Sequence, residues 1–392
     1  MSQNKTNFAV PLAFVGMMFF AIGFALGINS FLIPVLKGAL SLPSGVAYLL
    51  LAATFVPFLI FGYPASATIA KIGYKRTMAL SFLIFAVAFI LFVLSAKLEN
   101  FILFLIASFV SGAANAYLQA SVNPYITILG PIESAAKRMS IMGICNKLAW
   151  PVAPLFFALV VADLYLPFYI IIGVFLLLGI ISLMAPLPEV KAAGEDESDT
   201  ANCPYAANKT SIWQFPHLVL GALTLFIYVG VETLSLSTAV DYAKALNLEN
   251  PDLYAWIPSI GMVIGYICGI ILIPQYLTQD MAMRICACIG VAGSLAIVLL
   301  PAEISIWAIF LMALGCSLMW PALWPLAMAD LGKFTKSGSA LLTMAIAGGA
   351  VIPTVFGFLQ EGLGAQGAYW LALPCFLFIL YYGVAGYKIR TK

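Results

Sequence analysis

Three side-chain amides, Asn115, Gln119 and Asn123, recur every four residues inside an otherwise apolar stretch. On a helix that spacing places them in one stripe along one face. A second group follows downstream: Asn146 and Lys147, with Trp150 one turn later on much the same face. Glu232 is the only carboxylate well inside another apolar stretch. Trp320 and Trp324 stand four apart, each followed by proline, and Asn29 and Ser30 interrupt the first apolar run. Amides donate and accept hydrogen bonds, a carboxylate accepts, an ammonium donates, and an indole adds a flat apolar face and one N–H. Such a set suits the holding of a small polar solute. Glu232 and Lys147 are expected to approach each other near the middle of their helices, as an ion pair or in exchange with a small cation.

Bond-making chemistry finds no comparable set. His217 is the only histidine, and the chain has no HExxH, no GxSxG and no paired intramembrane aspartates. No catalytic residue is expected, and the chain is read as no enzyme. Of the seven cysteines, Cys286 and Cys288 have a CxC spacing with no matching cluster, so a zinc site is not expected.

The elements that carry these residues follow from composition. Of 392 residues, 63% are hydrophobic and 9% charged. A soluble domain carries about 25% charged residues, so this mixture cannot cover a water-facing surface. The apolar runs lack polar faces at the helical period, which places them in lipid or in a buried core. About 20 apolar residues cross the hydrocarbon layer. The runs read as twelve spans, near residues 8–36, 45–70, 77–96, 101–128, 139–162, 166–187, 213–240, 253–276, 281–300, 303–329, 338–360 and 366–387. Polar groups inside such spans are costly, so each is a functional candidate by default. Their shared setting would be a watery chamber between helices.

One long polar segment, 188–212, carries Glu195, Asp196, Glu197 and Asp199 and reads as a disordered cytoplasmic linker. It divides the chain into an N-terminal six-helix bundle, 1–187, and a C-terminal one, 213–392. With both termini in the cytoplasm, fourteen Lys and Arg fall on inner segments and three, Lys37, Lys97 and Lys244, on outer ones. That obeys the positive-inside rule. The fifth and eleventh spans share a Met-x-Ile with proline nine residues after the methionine (Met142 and Pro151, Met344 and Pro353), a trace of internal duplication. Gly348-Gly349, just before Pro353, suits close helix approach or a bend.

Several segments together carry a resemblance. They include Asn29-Ser30-Phe31-Leu32-Ile33-Pro34, Gly73-Tyr74-Lys75-Arg76, Leu118-Gln119-Ala120-Ser121-Val122-Asn123-Pro124-Tyr125 and Met142-Gly143-Ile144-Cys145-Asn146-Lys147-Leu148-Ala149. Tyr228-Val229-Gly230-Val231-Glu232, Gly265-Tyr266, Met319-Trp320-Pro321-Ala322-Leu323-Trp324-Pro325 and Gly348-Gly349-Ala350-Val351-Ile352-Pro353 continue the pattern. In order and spacing the chain resembles the glucose/galactose transporters of the fucose–proton symporter group, within the major facilitator superfamily.

The resemblance implies an all-α membrane protein of the major facilitator fold, with two pseudo-symmetric six-helix bundles. It implies uptake of a hexose by alternating access, coupled to sodium or a proton, across a bacterial inner membrane. The sugar contacts expected are Asn29, Gln119, Asn123, Asn146, Glu232, Trp320 and Trp324, the indoles stacking on the pyranose ring. Lys71, Gly73, Lys75 and Arg76 look like a cytoplasmic gating loop. Fucose-type members resemble this chain less at two places, where Ser30 and Gln119 stand instead of acidic residues. Glutamine at 119 is the glucose/galactose-type choice, but that type favours an aspartate where Ser235 and Ser237 stand. The general loop motif also has an aspartate where Ala70 stands. Sodium, proton and uncoupled uniport all stay open, as does an exporter of another small polar metabolite. No cofactor, nucleic-acid partner or metal is expected beyond a coupling sodium of unassigned position. The expected partners are the sugar and membrane lipid, and the chain is expected to be a monomer.

Overall fold

A computed structural model describes residues 9–128, 135–160, 165–185, 204–273 and 275–391. The described residues are helical with short connections. The first part holds α1 (Ala9–Ala39), α2 (Ser44–Lys97), α3 (Phe101–Ile128), α4 (Ala135–Leu159) and α5 (Leu166–Met184). After the turn α6 (Pro204–Ala207), the second part begins with α7 (Pro216–Ser237), α8 (Ala239–Ala245), α9 (Trp256–Leu272) and α10 (Gln279–Leu299). It closes with α11 (Ala302–Ser305), α12 (Ala308–Cys316), α13 (Met319–Met328), α14 (Thr335–Ala345), α15 (Gly348–Gly367) and α16 (Ala372–Val384).

Ten helical runs among the described residues are long and apolar enough to cross a membrane, two of them of 54 and 53 residues. At 1.5 Å per residue a 54-residue helix would be about 80 Å long, against a hydrocarbon layer of about 30 Å. α2 is in fact broken at Gly73, whose φ of 82° and ψ of 168° leave the helical region. Only glycine adopts that φ without cost. The arms 44–72 and 74–97 match the second and third expected spans. The expected tenth span is divided into α11, α12 and α13, and the eleventh into α14 and α15.

The outside of the molecule is apolar. Leu59, Ile90, Ile102, Leu177 and Ile180 are all more than half exposed, as a lipid-facing surface requires. Inside, aromatic rings fill the space between α2 and α5, with Phe85 and Phe175 centroids 4.9 Å apart. Within the first part α1 packs on α4 and α2 on α3 and α5. Within the second, α12 packs on α9 and α10, and α10 on α16. The two parts meet where α2 lies against α15 and α4 against α9.

The acidic stretch of the expected linker, 195–199, lies outside the described residues. Its end does not follow the expectation of disorder. The helical turn Pro204–Ala207 and a 3-10 turn at Ile212–Gln214 are formed there, with Lys209 Nζ 4.7 Å from the Tyr205 ring centroid.

Candidate functional site

The site begins with backbone contact between α1 and α4. A methyl group at Gly23 would lie 2.0 Å from the Asn146 carbonyl oxygen, and one at Gly27 2.6 Å from that of Trp150. Only glycine permits an approach this close. It lets Asn146 Nδ2 donate to the Phe19 carbonyl at 3.1 Å, which fixes the Asn146 side chain across the helix pair. Lys147 is the next residue, so the same contact sets its direction.

From the second part, α7 presents Glu232. Tyr228, one turn earlier, donates from Oη to Glu232 Oε1 at 2.6 Å. Lys147 Nζ reaches the same oxygen at 3.2 Å, and the two charged side chains are 9% and 11% exposed. A charge this buried is stable only with a partner, and each supplies the other's. The Lys147 ammonium also lies 5.9 Å from the Trp150 ring centroid, a cation–π distance. The ion pair joins the two parts of the chain at the level of the amide stripe.

These groups line a cavity of about 80 Å³. One water takes about 10–15 Å³ of such space, so the cavity holds on the order of five waters. Gln119 and Asn123 line it from α3, and Asn146, Lys147 and Trp150 from α4. Tyr228, Glu232 and Thr233 face it from α7, Tyr266 from α9 and Trp320 from α13. Donors and acceptors therefore converge from both parts, beside the aromatic surfaces of Trp150, Tyr266 and Trp320. Such a wall can exchange its hydrogen bonds for those of a hydroxyl-rich solute.

Of the residues singled out in the sequence, Gln119, Asn123, Asn146, Lys147, Glu232 and Trp320 are brought together around the cavity. Asn29 is not in its wall. Its Nδ2 donates to the Ala25 carbonyl at 3.0 Å, and its Oδ1 is buried without a hydrogen-bond partner. Asn115 lies off the cavity too, buried with both amide atoms unpartnered. Trp324 stands behind Trp320, with centroids 5.3 Å apart and planes 31° apart. Lys71 and Arg76 are exposed and Lys75 half-buried, flanking the break at Gly73. Gly348 follows the helix break at 346–347, and a methyl group there would lie 1.7 Å from the Phe226 carbonyl oxygen, so the close-approach reading applies to it. Tyr228, Thr233 and Tyr266 were not expected in the cavity. The sequence signals for Tyr228 are its i, i+4 spacing to Glu232 and its place in the Tyr228–Glu232 segment.

A helical, lipid-faced molecule with a polar cavity at the junction of its two parts has the build of a membrane carrier. The family model described as Major Facilitator Superfamily matches residues 14–353. The glucose/galactose transporter of Brucella abortus biovar 1 (strain 9-941) is 30% identical over 408 residues, covering 99% of this chain and 96% of the relative. The L-fucose-proton symporter of Escherichia coli (strain K12) is 23% identical, covering 92% and 89%. A crystal structure of the E. coli fucose:proton symporter superposes with a TM-score of 0.75 at 23% identity, over 98% of this chain and 99% of that one, a likeness of fold. The chain belongs to the major facilitator superfamily, in the group of the glucose/galactose transporters and fucose–proton symporters. It is a multi-pass transporter, not an enzyme.

Proposed function

We propose that the chain takes up a hexose of the glucose/galactose kind by alternating access, across the inner membrane of a bacterium. The observation that carries this reading is the wall of the cavity, where Gln119, Asn123 and Asn146 oppose Glu232 and Trp320. Neutral amides and a carboxylate are the groups that recognise ring hydroxyls, and an indole face suits the apolar side of a pyranose. The names of the sequence relatives support the same cargo. Asn29 and Trp324 act from outside the wall. Asn29 supplies a free acceptor as the helices move, and Trp324 backs Trp320.

Twelve crossings are proposed, since each of the two double-length runs is interrupted by a glycine at positive φ, Gly73 and Gly364. Two six-helix halves, 1–187 and 213–392, are joined by the linker 188–212, with both termini cytoplasmic. The excess of Lys and Arg on the inner segments supports that orientation. Lys71, Lys75 and Arg76 then face the cytoplasm at the Gly73 turn, where they gate the inner side. The protein acts as a monomer.

Uptake is coupled to a cation, with a proton favoured by the fucose relatives. The coupling group is Glu232, which releases Lys147 when it takes up the cation and regains it on release. Uniport is the second reading, favoured by one observation: Ser30 and Ser237 meet as a neutral hydroxyl pair at 3.0 Å, with no carboxylate between the halves there. Counterflow of labelled glucose and galactose in proteoliposomes, with sodium and pH gradients set independently, decides between them. Accumulation driven by a pH gradient supports symport. Equal exchange with no response to either gradient supports uniport, and no hexose flux at all overturns the sugar reading.

A further inference from the structure

Beyond the cavity, toward the end of the molecule where α1 and α7 finish, a second set of polar contacts joins the two halves. Its centre is Asp241 on α8, which is 4% exposed. Lys37 Nζ, from the end of α1, reaches Asp241 Oδ1 at 3.0 Å. Tyr48 Oη, from the start of α2, donates to Oδ2 at 3.3 Å, and Gln360 Nε2, from α15, donates to the same oxygen at 3.3 Å. The carboxylate of one half is thus held by an ammonium and a phenol of the other. Nearby, the Gly45 amide donates to Glu361 Oε1 at 3.0 Å across the same seam. One turn deeper, Ser30 and Ser237 pair at 3.0 Å. That pair helps to line a void of about 20 Å³, and Trp150 lines both this void and the cavity.

These contacts form a path in series: cavity, Trp150 partition, small void with its serine pair, then the Asp241 clasp. The Ser30–Ser237 link and the links from Lys37 and Tyr48 to Asp241 join residues from opposite halves, while Gln360 braces Asp241 from its own half, so the path opens only when the halves part there. A carboxylate with three donors is a poor choice for a permanent core, where apolar packing serves as well or better. It is a good choice for a contact that must form and break, because water replaces each donor once the seam opens. We propose that Asp241 is the closing residue of the outer gate, and that Lys37 and Tyr48 are its latch on the opposite half. In this structure the gate is shut. The inference rests on the orientation proposed above, which puts Lys37 on the outer side.

The test uses the full chain in proteoliposomes, carrying Ser237→Cys just inside the gate, and a membrane-impermeant thiol reagent applied to one face at a time. Modification at position 237 is read by mass spectrometry. Adding Asp241→Asn, or separately Lys37→Met, speeds labelling from the outer face by roughly tenfold or more, the factor carried by one charge-assisted hydrogen bond lost from the shut state. Lys37 is partly exposed, so its replacement keeps the test intact if the Asp241 variant folds poorly. Tyr48→Phe gives a smaller increase. Unchanged labelling in both the Asp241 and Lys37 variants overturns the gate. Labelling that rises from the inner face overturns the orientation. Neither readout needs sugar, so failure of the gate is distinguishable from failure of the hexose reading, which counterflow alone tests.

Discussion

Replacing Glu232 by Gln keeps the shape of the side chain and removes its charge. Tyr228 can still donate to the amide oxygen, but the Lys147 ammonium, whose side chain is 9% exposed, loses its counter-ion. A buried charge stranded in this way costs about 3–5 kcal/mol. Two features reduce that cost. The Trp150 ring at 5.9 Å offers a cation–π contact of about 0.5–2 kcal/mol, and the cavity admits a few waters. The net loss is then about 2–3 kcal/mol. Removing Lys147 as well, as Met, takes away the stranded charge. The Lys147→Met/Glu232→Gln double variant is therefore expected to be more stable than Glu232→Gln alone, with a coupling of about 2 kcal/mol. Denaturant or thermal unfolding of the purified wild type, both single variants and the double variant closes the cycle. Single effects that add within about 0.5 kcal/mol would mean that the two groups do not interact, and the exchange of Glu232 between Lys147 and a cation would then lose its basis.

Other consequences follow from the same geometry. Glu232→Gln is expected to abolish gradient-driven accumulation while leaving exchange measurable, and full accumulation would remove Glu232 as the coupling group. Trp320→Ala is expected to weaken hexose affinity about 3–10-fold through lost stacking, and Trp324→Ala to weaken it less, as measured by the concentration dependence of counterflow. Gly23→Ala forces α1 away from the Asn146 carbonyl and is expected to cost about 1–3 kcal/mol in unfolding measurements, with loss of uptake. Gly73→Ala places an alanine at a φ of 82° and is expected to cost about 1–2 kcal/mol, seen as a lower unfolding midpoint.

The helical runs and the amide and charged residues of the cavity wall were legible because lipid makes polar residues conspicuous. Gln119, Asn123, Asn146, Lys147 and Glu232 stand out in apolar runs, and the Lys147–Glu232 approach follows from their depth. Tyr228 and Tyr266 were hidden for the opposite reason: a tyrosine in an apolar span looks like packing until a carboxylate is found beside its hydroxyl. Trp324 shows a limit of helical phase. Trp320 and Trp324 share α13, but the one turn between them carries Trp324 past the cavity, where it packs on the Trp320 ring instead. Asn29 shows another limit, since its stripe meets the cavity at Ile22 and Leu26 and has passed its edge one turn later. Asp241 sits at the end of the seventh expected span, where an acid reads as a loop residue. Its role is set by Lys37 and Tyr48, some two hundred positions away, and no local pattern announces such a contact.

The amide-and-carboxylate wall as the seat of sugar recognition is tested most directly by equilibrium binding of labelled glucose and galactose to the purified protein. Wild type is expected to bind at least one of the two saturably, and Gln119→Ala and Asn146→Ala each to weaken that binding about tenfold, as the loss of a hydrogen bond in a closed polar site predicts. Saturable binding that both variants leave untouched would place the sugar elsewhere and contradict the account.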